Sequence, residues 1–276
     1  MKKNALILTA LAMVSLSLFA GCGTANTTGS ADPSPTTAYE DVQKIPYNGI
    51  DVAALEDGAA SVEREFDVIG SSYFVHPDFY NMKSNNTLTI LPKFKTYQQT
   101  TEWTCGPAAV LMVLEYYGKL DGKNDLDLAA LRGDATPSAT SVEQMVNIFE
   151  AVGGFTIDET HNYADLEDIN LDLIHDYLKQ DVPVMVEWVD WGGHWQAIIG
   201  YDTMGTDTVG DDVLIMADPY DTTDHNQDGY YIVPAERFLY TWVDGTIFPE
   251  GEREKNFVAA WPSDKAVTVN AASSLG

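Results

Sequence analysis

Positive charge is scarce in this sequence. Its 276 residues include 15 lysines and arginines against 42 aspartates and glutamates, which gives a formal net charge of −27. Phosphate groups would repel such a chain, so neither nucleic acid nor an anionic membrane surface is an expected partner. The composition is otherwise that of a globular protein with a sizeable core, since 45% of the residues are hydrophobic and 11% are aromatic.

The N-terminal apolar stretch is too short to cross a bilayer comfortably. It covers residues 5–19 and follows Lys2 and Lys3, which is the pattern of a secretory signal peptide. The stretch ends in Ala20-Gly21-Cys22. Small residues before a cysteine resemble the bacterial lipobox, in which the cysteine is lipidated and becomes the first residue of the mature chain. We therefore expect export, with anchoring to the outer face of a bacterial membrane through lipid on Cys22.

Composition and pattern divide the chain into five predicted parts. Residues 1–21 form the signal peptide. Residues 22–45 carry the lipidated cysteine and a flexible tether rich in Thr, Ser, Asn, Gly and Pro, which cannot bury enough apolar surface to order itself. The other parts are an N-terminal extension (46–87), the main folded domain (88–265) and a C-terminal tail (266–276).

The sequence has only one cysteine besides Cys22, so lipidation would leave Cys105 without a partner in the chain. A free structural thiol is unusual in an oxidising compartment. Cys105 directly precedes Gly106-Pro107 and an apolar run that ends at Gly118, and proline is tolerated in the first turn of a helix. The cysteine is thus predicted at a helix N-terminus, where N–H groups and the helix dipole stabilise a thiolate. This favours a nucleophile over a buried structural cysteine.

Helical and β patterns follow one another along the chain. After the cysteine helix, apolar spacing predicts helices at 125–131, 140–152 and 170–180, the second with a capping box of Thr140 and Glu143. Strands are predicted at 66–74, 87–91, 182–189, 194–201, 213–218, 229–233 and 256–261, with a short helix at 234–242. A helical half that carries the nucleophile, packed on a C-terminal antiparallel sheet, is an α+β fold.

A cysteine nucleophile needs an imidazole that takes and returns its proton. Of the five histidines, His194 follows two glycines at the start of a predicted strand, where a substrate backbone can approach the ring. The histidines in loop-like or solvent-facing surroundings are His76, His161, His175 and His225. Together with the free cysteine, this pattern favours His194 as general base and acid.

The group that orients the imidazole should lie on a neighbouring strand. Asp218 ends an apolar strand and precedes a proline, so its carboxylate is expected at the sheet end where His194 begins. The competing aspartates of the connecting hairpin, where solvation is expected, are Asp202, Asp211 and Asp212. Gln99, six residues before Cys105, can donate its side-chain amide to an oxyanion together with the Cys105 backbone N–H.

Four short segments of the sequence resemble cysteine-peptidase family 39. They are Gln99, Cys105-Gly106-Pro107-Ala108, the run from Gly193 to Asp202, and Ala217-Asp218-Pro219. These peptidases are papain-like, and over residues 88–242 the chain is similar to the family 39-like group of secreted bacterial proteins. The resemblance implies a papain-like cysteine peptidase fold. It also implies these roles: nucleophile for Cys105, base and acid for His194, orienter for Asp218, and oxyanion-hole donor for Gln99.

The expected function is a membrane-anchored, extracytoplasmic thiol peptidase or amide hydrolase that acts on peptides as a monomer and requires no cofactor. The family's founding members cut bacteriocin leaders after a double glycine, but they are fused to transmembrane and ATPase segments, so leader processing is not expected here. Two alternatives stay open: a non-catalytic module that binds peptide or cell wall, and acyl transfer to an amine. A free thiol argues against pure binding, whereas hydrolysis and transfer differ only in the acceptor that reaches the thioester.

One further pattern, Asp224-His225-Asn226-Gln227-Asp228-Gly229, places oxygen side chains at alternate positions before a glycine. It matches the first half of an EF-hand-type loop, which makes Asp224, Asn226 and Asp228 candidate ligands of a structural calcium ion. The second half of the loop does not match, so Glu236 or Asp221 would have to complete the coordination shell. An acidic surface turn is the alternative interpretation.

Overall fold

The computed structural model describes residues 77–134, 136–221, 228–245 and 247–268. The predicted lipidation site, Cys22, the predicted strand at 66–74, and the candidate calcium ligands Asp224 and Asn226 lie outside these residues. Among the residues described, no helix has the length and apolarity needed to span a membrane.

The free cysteine begins a buried helix. Helix α1 spans Cys105–Tyr116, with Pro107 in its first turn, where a missing N–H breaks no intrahelical hydrogen bond. All residues from Cys105 to Leu114 are buried, so the helix is apolar on all sides instead of amphipathic. The predicted position of the cysteine at a helix N-terminus is confirmed.

Within the described residues, seven antiparallel strands form one sheet. The strands are β1 Leu88–Ile90, β2 Phe155–Glu159, β3 Val184–Trp188, β4 His194–Asp202, β5 Val213–Ala217, β6 Tyr230–Pro234 and β7 Phe257–Pro262. Their order is β2-β7-β3-β4-β5-β6, and β1 pairs with the second half of β4. Helix α1 packs against β4, so the cysteine helix lies on the strand that begins with His194.

Further helices cover the sheet: α2 Asp125–Ala129, α3 Val142–Val152, α4 Leu171–Leu178 and α5 Ala235–Thr241. Helix α3 packs against α1, β2 and β7, and α4 packs against β1, β3 and β4. Large apolar side chains such as Leu114, Phe149 and Ile198 fill the space between helices and sheet. Each such side chain contributes about 1.5–3 kcal/mol when fully buried. The predicted α+β class is confirmed.

Two local features differ from the predictions. Strand β2, between α3 and α4, was not predicted from the sequence; it is an edge strand of five residues that pairs only with β7 within the described part. The capping box of α3 is formed by Ser141 and Gln144 instead of Thr140 and Glu143. Both pairs fit the capping pattern, but the Thr140 hydroxyl instead accepts a hydrogen bond from Arg132.

Candidate active site

Antiparallel pairing brings His194 and Asp218 together. Because Ala197 of β4 pairs with Ala217 of β5, the residue that follows β5 lies beside the first residues of β4. Nε2 of His194 is 2.6 Å from Oδ1 of Asp218. The two side chains are 5% and 0% exposed, so the contact is shielded from water.

The Asp218 carboxylate is also fixed by the backbone around it. Its Oδ1 accepts the N–H of Tyr220 at 2.7 Å. The N–H of Asp218 donates to the carbonyl of Gly229 at 2.8 Å, which holds the end of β5 in place. A fixed carboxylate facing an imidazole selects one orientation of the ring and stabilises its protonated form.

Helix α1 places the Cys105 sulfur against the same imidazole. Because Nε2 of His194 faces Asp218, Nδ1 is the nitrogen left for the thiol, which is hydrogen-bonded to the ring. Burial acts to raise the pKa of Cys105, but the hydrogen bond and charge of His194, with the N–H groups of Trp195 and Gly106, lower it below its ordinary value. Burial likewise opposes the charged form of His194, yet Asp218 and Cys105 raise its pKa well above the ordinary value. Both shifts act in the direction of a thiolate–imidazolium pair, in which the sulfur is in its reactive form.

Gln99 lies at the same end of the sheet. Its backbone N–H donates to the carbonyl of Pro219 at 2.8 Å, which ties it to the residue after Asp218. Its side chain is buried, and Nε2 donates to the carbonyl of Thr101 at 2.7 Å. This bond fixes the orientation of the Gln99 amide and uses one of the two N–H groups that an amide nitrogen carries. Donation to an oxyanion stays a prediction.

The competing aspartates have partners of their own in the hairpin after β4. Oδ1 of Asp202 accepts the N–H of Met204, and Asp211 accepts the hydroxyl of Thr206. Asp212 was expected to be solvated, but it is only 6% exposed. Its buried carboxylate accepts the Tyr201 hydroxyl at 2.6 Å, which replaces water as the partner.

The remaining described histidines lie on other parts of the fold. His161 is paired with Glu159 at 2.9 Å near the end of β2. His175 was expected to face solvent, but it is half-buried, because its ring stacks on Tyr201 at 4.5 Å and contacts the Thr89 hydroxyl. His76 and His225 lie outside the described residues.

A buried arginine beside the nucleophile was missed at the level of sequence. Arg132 is 1% exposed; its guanidinium donates to the Thr140 hydroxyl at 2.9 Å and lies over the Trp103 ring at 4.9 Å. The carbonyl of Thr140 accepts Nε1 of Trp195 at 2.7 Å, and a Cβ on Gly106 would lie 2.8 Å from Cβ of Thr140. Thr140, which Arg132 holds in place, therefore contacts Gly106 and Trp195, the residues that follow Cys105 and His194.

The described part of the candidate calcium loop is buried. Oδ1 of Asp228 accepts the N–H of Tyr230 at 2.8 Å, and burial raises the pKa of Asp228 to about 7. Oδ2 of Asp221 accepts the N–H of Gly229 at 2.6 Å. The described residues contain no group of three or more acidic, His or Cys side chains that could hold a metal. With Asp224 and Asn226 undescribed, calcium binding stays a prediction.

The chain is similar to one known protein family and to a solved peptidase domain. The family model described as "Peptidase_C39 like family" matches residues 92–244, more than half of the chain. Among solved structures, the chain is similar to the crystal structure of the peptidase domain of Streptococcus ComA, a bi-functional ABC transporter involved in a quorum sensing pathway. The identity is 19%, the match covers 61% of this chain and 96% of that chain, and the TM-score is 0.40. No curated protein matches the chain significantly.

Proposed function

Because the chain belongs to the Peptidase_C39 like family, we propose that it is a cysteine peptidase, or a related amide hydrolase, with Cys105, His194 and Asp218 as its catalytic triad. The family and the papain-like α+β fold support a peptidase-like function. The observation that carries the proposal further is the continuous contact from thiol to imidazole to carboxylate. A buried ion pair of this kind is costly to form and supplies the reactivity that amide cleavage requires.

In the proposed reaction, the Cys105 thiolate attacks the carbonyl carbon of a peptide bond. A C–S bond forms, and the carbonyl π electrons move to oxygen. The oxyanion accepts the backbone N–H of Cys105, which is in the first turn of α1, and a side-chain N–H of Gln99. The imidazolium of His194 gives its proton to the leaving nitrogen as the C–N bond breaks. A thioester and a neutral imidazole remain.

Hydrolysis of the thioester reverses these proton movements. His194 takes a proton from water while the water oxygen attacks the thioester carbonyl, and the C–S bond then breaks. The carboxylic acid leaves and the thiolate–imidazolium pair is restored. Asp218 holds Nδ1 toward sulfur and stabilises the positive ring throughout, without itself taking the proton.

We further propose that the protein is exported and anchored by lipid on Cys22. This proposal is supported by the sequence alone: the apolar stretch of residues 5–19 ends in Ala20-Gly21-Cys22. The protein should fractionate with membranes, and mass spectrometry should find a lipidated N-terminal cysteine. Recovery of a soluble mature protein with an unmodified Cys22 thiol would contradict it.

The test of peptidase activity uses a mixture of peptides of diverse sequence, with mass spectrometry of the new termini. Wild type and the matched control Cys22→Ser, which lacks the other thiol, should produce the same new termini, and Cys105→Ala should produce none. Cleavage by Cys105→Ala would refute the nucleophile. Added primary amine that appears in the products would indicate acyl transfer. Peptide retention without new termini, equal in wild type and Cys105→Ala, would indicate a binding module.

A further inference from the structure

Two buried carboxyl groups meet beside the glycine that precedes His194. Glu187 lies on β3, opposite Trp195 of β4, and Asp244 lies on the segment after α5; they are 1% and 2% exposed. A Cβ on Gly193 would lie 2.8 Å from Oε1 of Glu187 and 2.3 Å from Oδ2 of Asp244. Both oxygens therefore point into the same small space, which the missing side chain of Gly193 leaves open.

The other oxygen of each carboxyl group is hydrogen-bonded. Oε2 of Glu187 accepts Nδ2 of Asn256 at 3.1 Å. Oδ1 of Asp244 accepts the N–H groups of Ile247 and Phe248 at 2.7 and 2.9 Å. Within the described part of the chain, Oε1 and Oδ2 are the oxygens of this pair left without a conventional hydrogen-bond partner.

Two ionised carboxylates in this position would repel each other, whereas one shared proton converts the contact into a hydrogen bond. Burial and then the hydrogen bond with Asp244 raise the pKa of Glu187 to about 9. The charge of Cys105 on α1 acts in the same direction. Nε of Arg253 is 3.8 Å from Oδ1 of Asp244, so a positive charge lies on the Asp244 side of the contact. These neighbours assign the proton to Glu187.

We propose that Glu187 and Asp244 share one proton and that this contact positions His194 for the proposed reaction, on which the inference therefore rests. The contact joins β3 to the segment that begins at Asp244, with the backbone of Gly193 between them. Gly193 has a φ of 154° and, because of the two carboxyl groups, has no room for a side chain. The direction in which the chain enters β4 is thereby fixed, and with it the His194 ring.

A second contact holds the same piece of backbone. The N–H of Gly245 donates to the carbonyl of Gly192 at 3.0 Å. The segment after α5 thus contacts both glycines before His194. Loss of the shared proton would put a second negative charge here, which would push this segment from β3 and disfavour the nearby Cys105 thiolate. Glu187 and Asp244 are therefore positioning residues.

The shared proton is tested by thermal unfolding in a Cys105→Ala background, which removes the thiol titration and needs no turnover. The folded-state pKa of Glu187 lies above its unfolded value, so its contribution to stability is present at low pH and is lost as pH rises toward about 9. The matched variant Glu187→Gln can donate an amide N–H to Asp244 and has no titrating proton. Its Tm should therefore rise relative to that of the background protein between about pH 5 and 9. Parallel Tm curves would overturn the shared proton.

The positioning role is tested by the rate at which iodoacetamide alkylates Cys105 at pH 7 in the full chain. Glu187→Ala should slow alkylation about tenfold, because the ring that maintains the thiolate is displaced. Glu187→Gln and Asp244→Asn each keep one donor between the two groups, so both should restore most of the wild-type rate. Equal rates in wild type and in folded Glu187→Ala would overturn the positioning role. A failure of the proposed function would instead appear as normal alkylation without peptide cleavage.

Discussion

Two buried carboxyl contacts flank His194, one from each strand that neighbours β4. On the β5 side, Asp218 meets an imidazole, and its charge raises the pKa of His194. On the β3 side, Glu187 meets a second carboxyl group, Asp244, and its pKa is raised to about 9. Both Asp218 and Glu187 are buried. In the proposed site, the partner, more than the depth of burial, decides whether a buried carboxyl group acts as an orienting anion or as a neutral contact.

The same chemical change on the two sides should separate these roles. Asp218→Asn should lower kcat/KM for peptide cleavage at pH 7 by about 10³-fold or more, because an amide cannot stabilise the imidazolium. Glu187→Gln, the matched carboxyl-to-amide change, should lower it less than about threefold, because a neutral group is replaced by a neutral group. Losses of equal size would show that the two carboxyl groups do not differ as described.

Gln99 also lies on the β5 side of His194, but it is not part of the proposed ion pair between Cys105 and His194. Its replacement therefore separates support of the oxyanion from support of the thiolate. Gln99→Ala should lower kcat about 10²-fold, as expected for the loss of one oxyanion donor. Alkylation of Cys105 forms no oxyanion, so its rate should stay near that of wild type. A parallel fall in alkylation and cleavage would assign Gln99 to support of the thiolate instead of to the oxyanion.

Local chemistry made much of the β5 side predictable from sequence. Pro107 and the apolar run that follows it fix the start of α1, and with it Cys105. The glycines before His194 and the proline after Asp218 mark the ends of two consecutive strands, which antiparallel pairing brings together. These features depend on neighbours in sequence, which is why reasoning from the sequence could reach them.

The β3 side depends on contacts between distant segments, and it was missed. Glu187 is the only charged residue in the predicted strand at 182–189, a signal that could have been noticed, and in the structure every residue of β3 is buried. Nothing in the sequence near Asp244, however, identifies it as the partner of Glu187. Arg132 follows a short helix and precedes a glycine, a pattern typical of an exposed helix end. Its burial, like the choice of Ser141 over Thr140 as the cap of α3, is decided by tertiary packing.

Arg132 offers a smaller test of the charge around the thiolate, since the charge of Cys105 acts on it. Arg132→Met should raise the pKa of Cys105 and slow its alkylation near pH 6 several-fold. Arg132→Lys keeps the charge but loses the guanidinium contacts, so it should retain the alkylation pH profile while melting at a lower temperature. Identical pH profiles in the two variants would exclude an effect of the charge.

The calcium prediction carries the smallest expected effect, and it concerns residues 224–229, which lie between β5 and β6 in the sequence. Millimolar calcium should raise the Tm of the full chain by a few degrees over the same sample in chelator, because only the folded state holds the site. Asp224→Ala should remove the difference. Superimposable wild-type curves would leave the acidic turn as the interpretation of residues 224–229.

The central claim is that His194 holds Cys105 as a thiolate, and the pH dependence of Cys105 alkylation tests it most directly. In a Cys22→Ser background, which leaves a single thiol, wild-type His194 should keep alkylation fast well below the ordinary cysteine pKa of about 8.5. His194→Ala should move the inflection to that pH or above, because burial then acts on the thiol without the opposing charge. An inflection at about 8.5 or above that is the same in both proteins would contradict the ion pair.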